Sequence, residues 1–284
     1  MTSVITGIPP AAAAATVAAA VAHASWNAIA HRIRDSLVAM TVVGIGGLAL
    51  AVPLLLWTAA PAPASRPYLA VSVVLHIAYL ALLLRTYRVG EFSQVYPLAR
   101  GISPVVVTAA AWLLVGERLA GLQLAGVLLI PAGLACLVFI GRRPDRPALV
   151  AAAATGLAIA AYTVVDGIGV RLAGSPGGYI GWLMTLEGLG CAAVALVIRR
   201  RALPAQLSGS WLAGLAGGVL TVIAYGLVLW AQTRSALALV AALRETSIII
   251  GALIGTLMFR EPFGRSRIMA TVLVVAGILL LNAG

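Results

Sequence analysis

Lysine is absent from this 284-residue sequence, and charge of any kind is scarce, at 10% of residues against about 25% in soluble domains. With 62% hydrophobic residues and a mean hydropathy of +1.07, that scarcity excludes a soluble fold. The missing lysine makes all nineteen basic residues arginine, which together with the abundance of alanine reads as codon bias. Cysteine is nearly absent as well. Cys136 and Cys191 both fall inside apolar runs, so a disulfide framework is excluded and both read as buried structural thiols. No HExxH, GxSxG or aspartate-rich motif occurs, nor a grouping of three histidines; a membrane-embedded enzyme would need such a nucleophile or metal cluster. Neither catalysis nor a bound metal or cofactor is expected. The first residues, MTSVITGIPP, lack the basic stretch of a secretory signal, so the apolar segment behind them is expected to stay as a first helix.

What fills the chain is a series of ten apolar runs, near 11–30, 37–58, 68–87, 93–115, 121–140, 148–170, 177–198, 211–232, 236–258 and 267–282. Each approaches the roughly 17–25 residues that a hydrocarbon core of about 30 Å requires. Short connections leave no room for a soluble domain and make neighbouring helices antiparallel. The thirty glycines, with alanine, suit close helix contact in lipid, where packing drives association. The expected fold is an all-α membrane protein of ten transmembrane helices, multi-pass in the cell membrane, as a monomer or weak dimer. The formal charge of +11 sits almost wholly between the apolar runs, which marks topology rather than a nucleic-acid footprint.

The chain also repeats itself. LARGISP begins at Leu98, VGERL at Val115, and Gly133 follows; LRETS begins at Leu243, FREPF at Phe259, and Gly277 follows. Arg100 thus matches Arg244, Glu117 matches Glu261 and Gly133 matches Gly277, all at an offset of 144, while IAY ending at Tyr79 matches IAY ending at Tyr225 at 146. Five helices in each half is an odd number, so two halves of one fold, 1–144 and 145–284, sit in opposite orientations. Thirteen arginines gather in the odd-numbered gaps and four in the even-numbered ones. By the positive-inside rule the arginine-rich face is cytoplasmic and both termini lie outside.

The segment from Pro97 to Phe139, PLARGISPVVVTAAAWLLVGERLAGLQLAGVLLIPAGLACLVF, and its counterpart from Ala242 to Asn282 resemble the fourth and fifth helices of EamA-type members of the drug/metabolite transporter superfamily. The resemblance implies a secondary transporter with a central cavity between its halves, and many such members export amino acids or other metabolites. It also implies cytoplasmic termini for some members, opposite to the arginine placement.

Ionisable groups inside a span cost about 2.5–3.5 kcal/mol each and mark function or a bundle-facing partner. Arg100, between Pro97 and Pro104, suggests a kinked or broken fourth helix facing a cavity. With Arg244 it would flank one central pocket, and two guanidiniums suit a solute with an anionic group; structurally, either could instead neutralise an acid or bind backbone carbonyls. Glu187, the acid nearest a span centre, and Glu245 are the proton-coupling candidates, or else counter-ions. His23, Trp26 and Asn27 share a helix face and, with Tyr79 and Tyr225, are candidate pocket residues or interhelical glue. Asp166 is expected near the water-accessible end of the sixth span. Glu117 and Glu261 are expected to cap tight turns, and Trp57, Trp112 and Trp211 to anchor at the interface. The function expected is an exporter of small metabolites, amino-acid-like or otherwise carrying an anionic group, possible proton coupling included. A flippase of a lipid or lipid-linked sugar is the alternative, and a non-transporting assembly protein a further one.

Overall fold

The computed structural model describes residues 7–90, 92–139, 144–259 and 265–283. Among them there is helix and turn but no strand. Seven helices are long and apolar enough to cross a membrane: α1 (Pro10–Ala30), α2 (Ser36–Trp57), α3 (Arg66–Val89), α4 (Phe92–Ala110, continued by a π-helical turn, Ala111–Val115), α6 (Arg146–Leu172), α7 (Pro176–Arg199) and α9 (Trp211–Gln232). The fifth and tenth spans are α5 (Gly121–Phe139) and α12 (Arg265–Ala283), whose apolar stretches are shorter. The ninth is divided into α10 (Leu237–Arg244) and α11 (Thr246–Phe259), and a short α8 (Leu203–Ser208) precedes α9. These make the ten expected spans.

The helix starts follow local chemistry. Asp35 accepts from the Leu37 and Val38 amides at 3.0 and 3.1 Å, and Asp145 from the Ala148 amide at 3.0 Å, so each satisfies donors that the first turn leaves open. Proline occupies the first turn of α1, α3, α6 and α7, where no amide hydrogen is needed. Trp57, Trp112 and Trp211 are exposed near helix ends, as interface anchors would be.

The break in the helical ladder is not where the prolines suggest. α4 runs through Pro97, Arg100 and Pro104 without interruption; its departure from α geometry comes later, in the π turn that Gly116 closes at φ 74°. The interruption falls in its repeat mate, at Glu245. There the Glu245 amide bonds Ala242 O at 3.1 Å and the Ile248 amide bonds Glu245 O at 3.0 Å, a tightening to three-residue bonds. The Thr246 hydroxyl takes the Leu243 carbonyl at 2.8 Å, a side-chain bond that competes with the ladder. Proline removes one donor from a helix that neighbours can still hold together, whereas a run of tight bonds redirects the axis.

Packing between helices is pseudo-two-fold. α2 packs on its mate α7 and α5 on its mate α12, while α1 against α9 mirrors α6 against α3, and α4 against α6 mirrors α10–α11 against α1. Where mates meet, glycine sets the distance. Gly44 and Gly188, 144 apart, face each other across α2 and α7: a Cβ on Gly188 would lie 2.6 Å from Gly44 O. In the α5–α12 contact a Cβ on Gly126 would lie 2.6 Å from Gly277 O, and one on Gly133 would lie 3.1 Å from Ala270 O. Gly126 and Ala270 are also 144 apart, as are Gly133 and Gly277, so this is one contact made twice.

Candidate functional site

Between the halves lies a cavity of about 130 Å³, counted as space for the centre of a water-sized sphere. Its wall reproduces the two-fold. Met40 and Met184, Val43 and Glu187, Gly44 and Gly188, and Gly47 and Cys191 are mates at 144 on α2 and α7; His76 and Val222, and Tyr79 and Tyr225, are mates at 146 on α3 and α9. Three of these pairs are unlike: Glu187 corresponds to a valine, His76 to a valine and Cys191 to a glycine. α2 contributes residues of its first half, from Met40 to Gly47, and α1 residues of its second, from Ala19 to Trp26. Both sets lie toward the arginine-rich face, whereas α9 contributes residues as far as Val228, near its arginine-poor end, and Arg244 lies in the arginine-poor half of its span, so the cavity sits near mid-depth between the two faces.

Arg100 and Arg244 come together at this cavity, both 4% exposed, yet their surroundings differ. Arg100 gives Nε to Glu245 Oε2 at 2.9 Å and Nη2 to Ser247 Oγ at 3.2 Å. Its charge is therefore met, by the acid that follows its own repeat mate. Arg244 has no such partner: among the described residues nothing bonds its Nε or Nη2. Glu187 likewise lines the cavity without a hydrogen bond among the described residues.

The remaining candidates divide. His23, Trp26, Tyr79 and Tyr225 line the cavity; the Trp26 indole donates to His23 Nδ1 at 3.2 Å, and Tyr79 meets Tyr162 edge-on at 5.5 Å. Asn27 is not part of the wall and gives its amide to the His23 carbonyl at 2.8 Å, within its own helix. Glu117 caps a turn, but a distant one. It accepts from the Leu237 amide at 2.9 Å, opening α10 in the other half, and from both terminal nitrogens of Arg171 at 3.0 Å. Arg171 in turn holds the Gln232 and Ser235 carbonyls at 2.8 and 2.7 Å. Glu261 lies outside the described residues.

Residues 146–283 match the EamA-like transporter family. The second half of the chain belongs to that family. A solved crystal structure, titled only as that of a protein, superposes on this EamA-like chain with a TM-score of 0.75 over 96% of each chain at 18% identity, which is a likeness of fold. No curated protein matches the sequence. As an EamA-like protein the chain is a membrane transporter of the drug/metabolite transporter superfamily.

Sequence reasoning undervalued one residue of this EamA-like core. Asp166 is fully buried, not within reach of water, because α6 extends to Leu172 and folds the acid against α7 and α9. Its Oδ1 accepts from the Tyr179 hydroxyl at 2.9 Å and its Oδ2 from the Tyr225 hydroxyl. The signal available was an acid in an apolar run with no arginine at helical spacing before it.

Proposed function

We propose that this transporter exports small metabolites bearing an anionic group, amino-acid-like in size, across the cell membrane by alternating access between its two halves, 1–144 and 145–284. The observation that carries the proposal is the guanidinium of Arg244 in the cavity wall, whose Nε and Nη2 are buried without a hydrogen bond among the described residues. Buried donors left unbonded are costly, and a solute carboxylate or phosphonate meeting the fork with paired hydrogen bonds would remove that cost. Arg100, already neutralised by Glu245, holds the broken span in place beside the anchor. Glu187 supplies a negative group in the same cavity, suited to the ammonium end of a zwitterion. The aromatic wall of Trp26, Tyr79 and Tyr225 offers surface with a hydrogen bond at its edge.

Size favours a small solute over a lipid. At about 10–15 Å³ of such space per water, 130 Å³ is room for a compact metabolite and not for an acyl chain. The test is counterflow in proteoliposomes with a panel of amino acids, organic acids and phosphonates. Arg244→Ala should cut uptake of the accepted solute by about tenfold or more, the scale of one charge-assisted hydrogen bond. Glu187→Gln should spare plain anions and weaken zwitterions. Equal uptake by wild type and Arg244→Ala would sink the site.

A further inference from the structure

Beyond the cavity, toward the arginine-poor face, lies a polar cluster that solute binding at Arg244 does not use. Its centre is Asp166, fully enclosed. Each element packed around it brings a polar group. From α7 comes the Tyr179 hydroxyl, on Oδ1 at 2.9 Å, and from α9 the Tyr225 hydroxyl, on Oδ2. From α3 come Ser72 and, one turn on, His76, whose Nδ1 lies 3.2 Å from the Ser72 hydroxyl. Tyr162 stands one turn before Asp166 on α6 itself, and Glu187 lies two turns beyond Tyr179 on α7. No arginine pairs with Asp166 among the described residues, so the cluster holds a carboxyl without a resident cation.

His76 Nδ1 must carry a hydrogen, because it contacts the Ser72 carbonyl at 2.9 Å and a carbonyl only accepts. The His76 ring is stacked on Tyr162 at 4.1 Å and edge-on to Tyr225 at 5.5 Å. Two tyrosine hydroxyls on one carboxyl serve either of its forms. They donate to a carboxylate, and a tyrosine hydroxyl can turn to accept from the protonated acid. A lone buried carboxylate costs several kcal/mol even when hydrogen-bonded, so a proton brings compensation here that it could not bring to Glu245, which Arg100 already neutralises. Four members of the cluster also face the solute cavity, His76, Tyr162, Glu187 and Tyr225, and of these Tyr225 has its hydroxyl on Asp166.

We infer that Asp166 is the proton-binding site of this transporter, reached from the cavity through Tyr225 and His76, so that solute against the Tyr225 ring and a proton on Asp166 sense each other. The inference rests on the transporter reading for its purpose but not for its detection. A proton arriving through the cavity adds to the Asp166 carboxylate and leaves as a proton, with no other bond changed. The first experiment needs no solute. Infrared difference spectra of the purified protein in lipid nanodiscs, taken between acidic and alkaline buffer, should show a protonated-carboxyl band that Asp166→Asn removes and Glu187→Gln retains. An unchanged band in Asp166→Asn overturns the assignment. The second uses whichever panel solute passes counterflow. An imposed proton gradient should accelerate wild-type flux, and Asp166→Asn should keep counterflow while losing that acceleration. Tyr225→Phe should shift the pH at which the band appears without abolishing it. A wild-type flux indifferent to the gradient, or an Asp166→Asn variant that still responds, also overturns the inference. Failure of counterflow across the whole panel would instead strike the solute reading and leave the spectra to decide Asp166.

Discussion

Three buried groups in this core look alike in sequence and differ in circumstance. Among the described residues Arg100 is ion-paired, Arg244 leaves two buried nitrogens unbonded, and Asp166 is held by tyrosine hydroxyls. The first difference predicts opposite consequences for two identical substitutions. Arg100→Ala strands Glu245 in the interior and should lower stability by about 3–5 kcal/mol, as breaking a buried pair does. Arg244→Ala removes a cation with two buried, unbonded nitrogens and should leave thermal stability in detergent unchanged or raised while depressing uptake. Replacing the pair together, Arg100→Met with Glu245→Leu, should restore most of the melting temperature lost by Arg100→Ala. A melt that falls equally for Arg100→Ala and Arg244→Ala would refute the division of labour between them.

At the level of helices, the glycine contacts make a sharper prediction than composition could. A methyl at Gly188 would lie 2.6 Å from a backbone oxygen of α2, whereas a methyl at Gly44 comes no nearer than 3.4 Å to α7. Gly188→Ala should therefore cost about 1–3 kcal/mol, the usual range for overpacking, and Gly44→Ala almost nothing, read from the melting of the purified protein. The span count and the repeat were legible because apolar length and register are written directly in the residues. The break at Glu245 was not, since prolines at 97 and 104 pointed to α4, and the tight bonds at 242–248 depend on how α10 meets its neighbours. The pairing of Arg100 with Glu245 was equally hidden. It joins residues 145 positions apart, and the near-equal repeat drew attention to Arg244 instead of to the acid beside it. Asn27 shows the reverse: its spacing with His23 and Trp26 was right, yet the amide turns back to its own helix.

Taken as one body, the molecule is fastened unequally at its two faces. On the arginine-rich side, Arg199 meets Asp35 through an ion pair that is about one-third exposed at each partner. On the other, Glu117 and Arg171 tie α4, α6, α9 and α10 into one knot in which the carboxylate is almost buried. Cys191, in the cavity wall and in the half of α7 that leads to the loosely fastened face, is a native reporter of access. In a Cys136→Ser background, a membrane-impermeant thiol reagent should label Cys191 from the arginine-rich side. Glu117→Gln, which weakens the opposite knot, should raise labelling from the arginine-poor side several-fold. Labelling of wild type from the arginine-poor side alone would contradict this picture.

The meeting of Gly44 with Gly188 places the two-fold axis beside Val43 and Glu187. Two identical five-helix subunits joined on that dyad would have to present either a pair of glutamates or none, and two carboxylates so near the axis would repel. A single chain escapes that constraint of stoichiometry. It sets one acid and one guanidinium with unbonded nitrogens in a chamber whose outline is largely duplicated, and so turns a near-symmetric vestibule into a polar one. A solute with unlike ends then has a single preferred heading as it passes through.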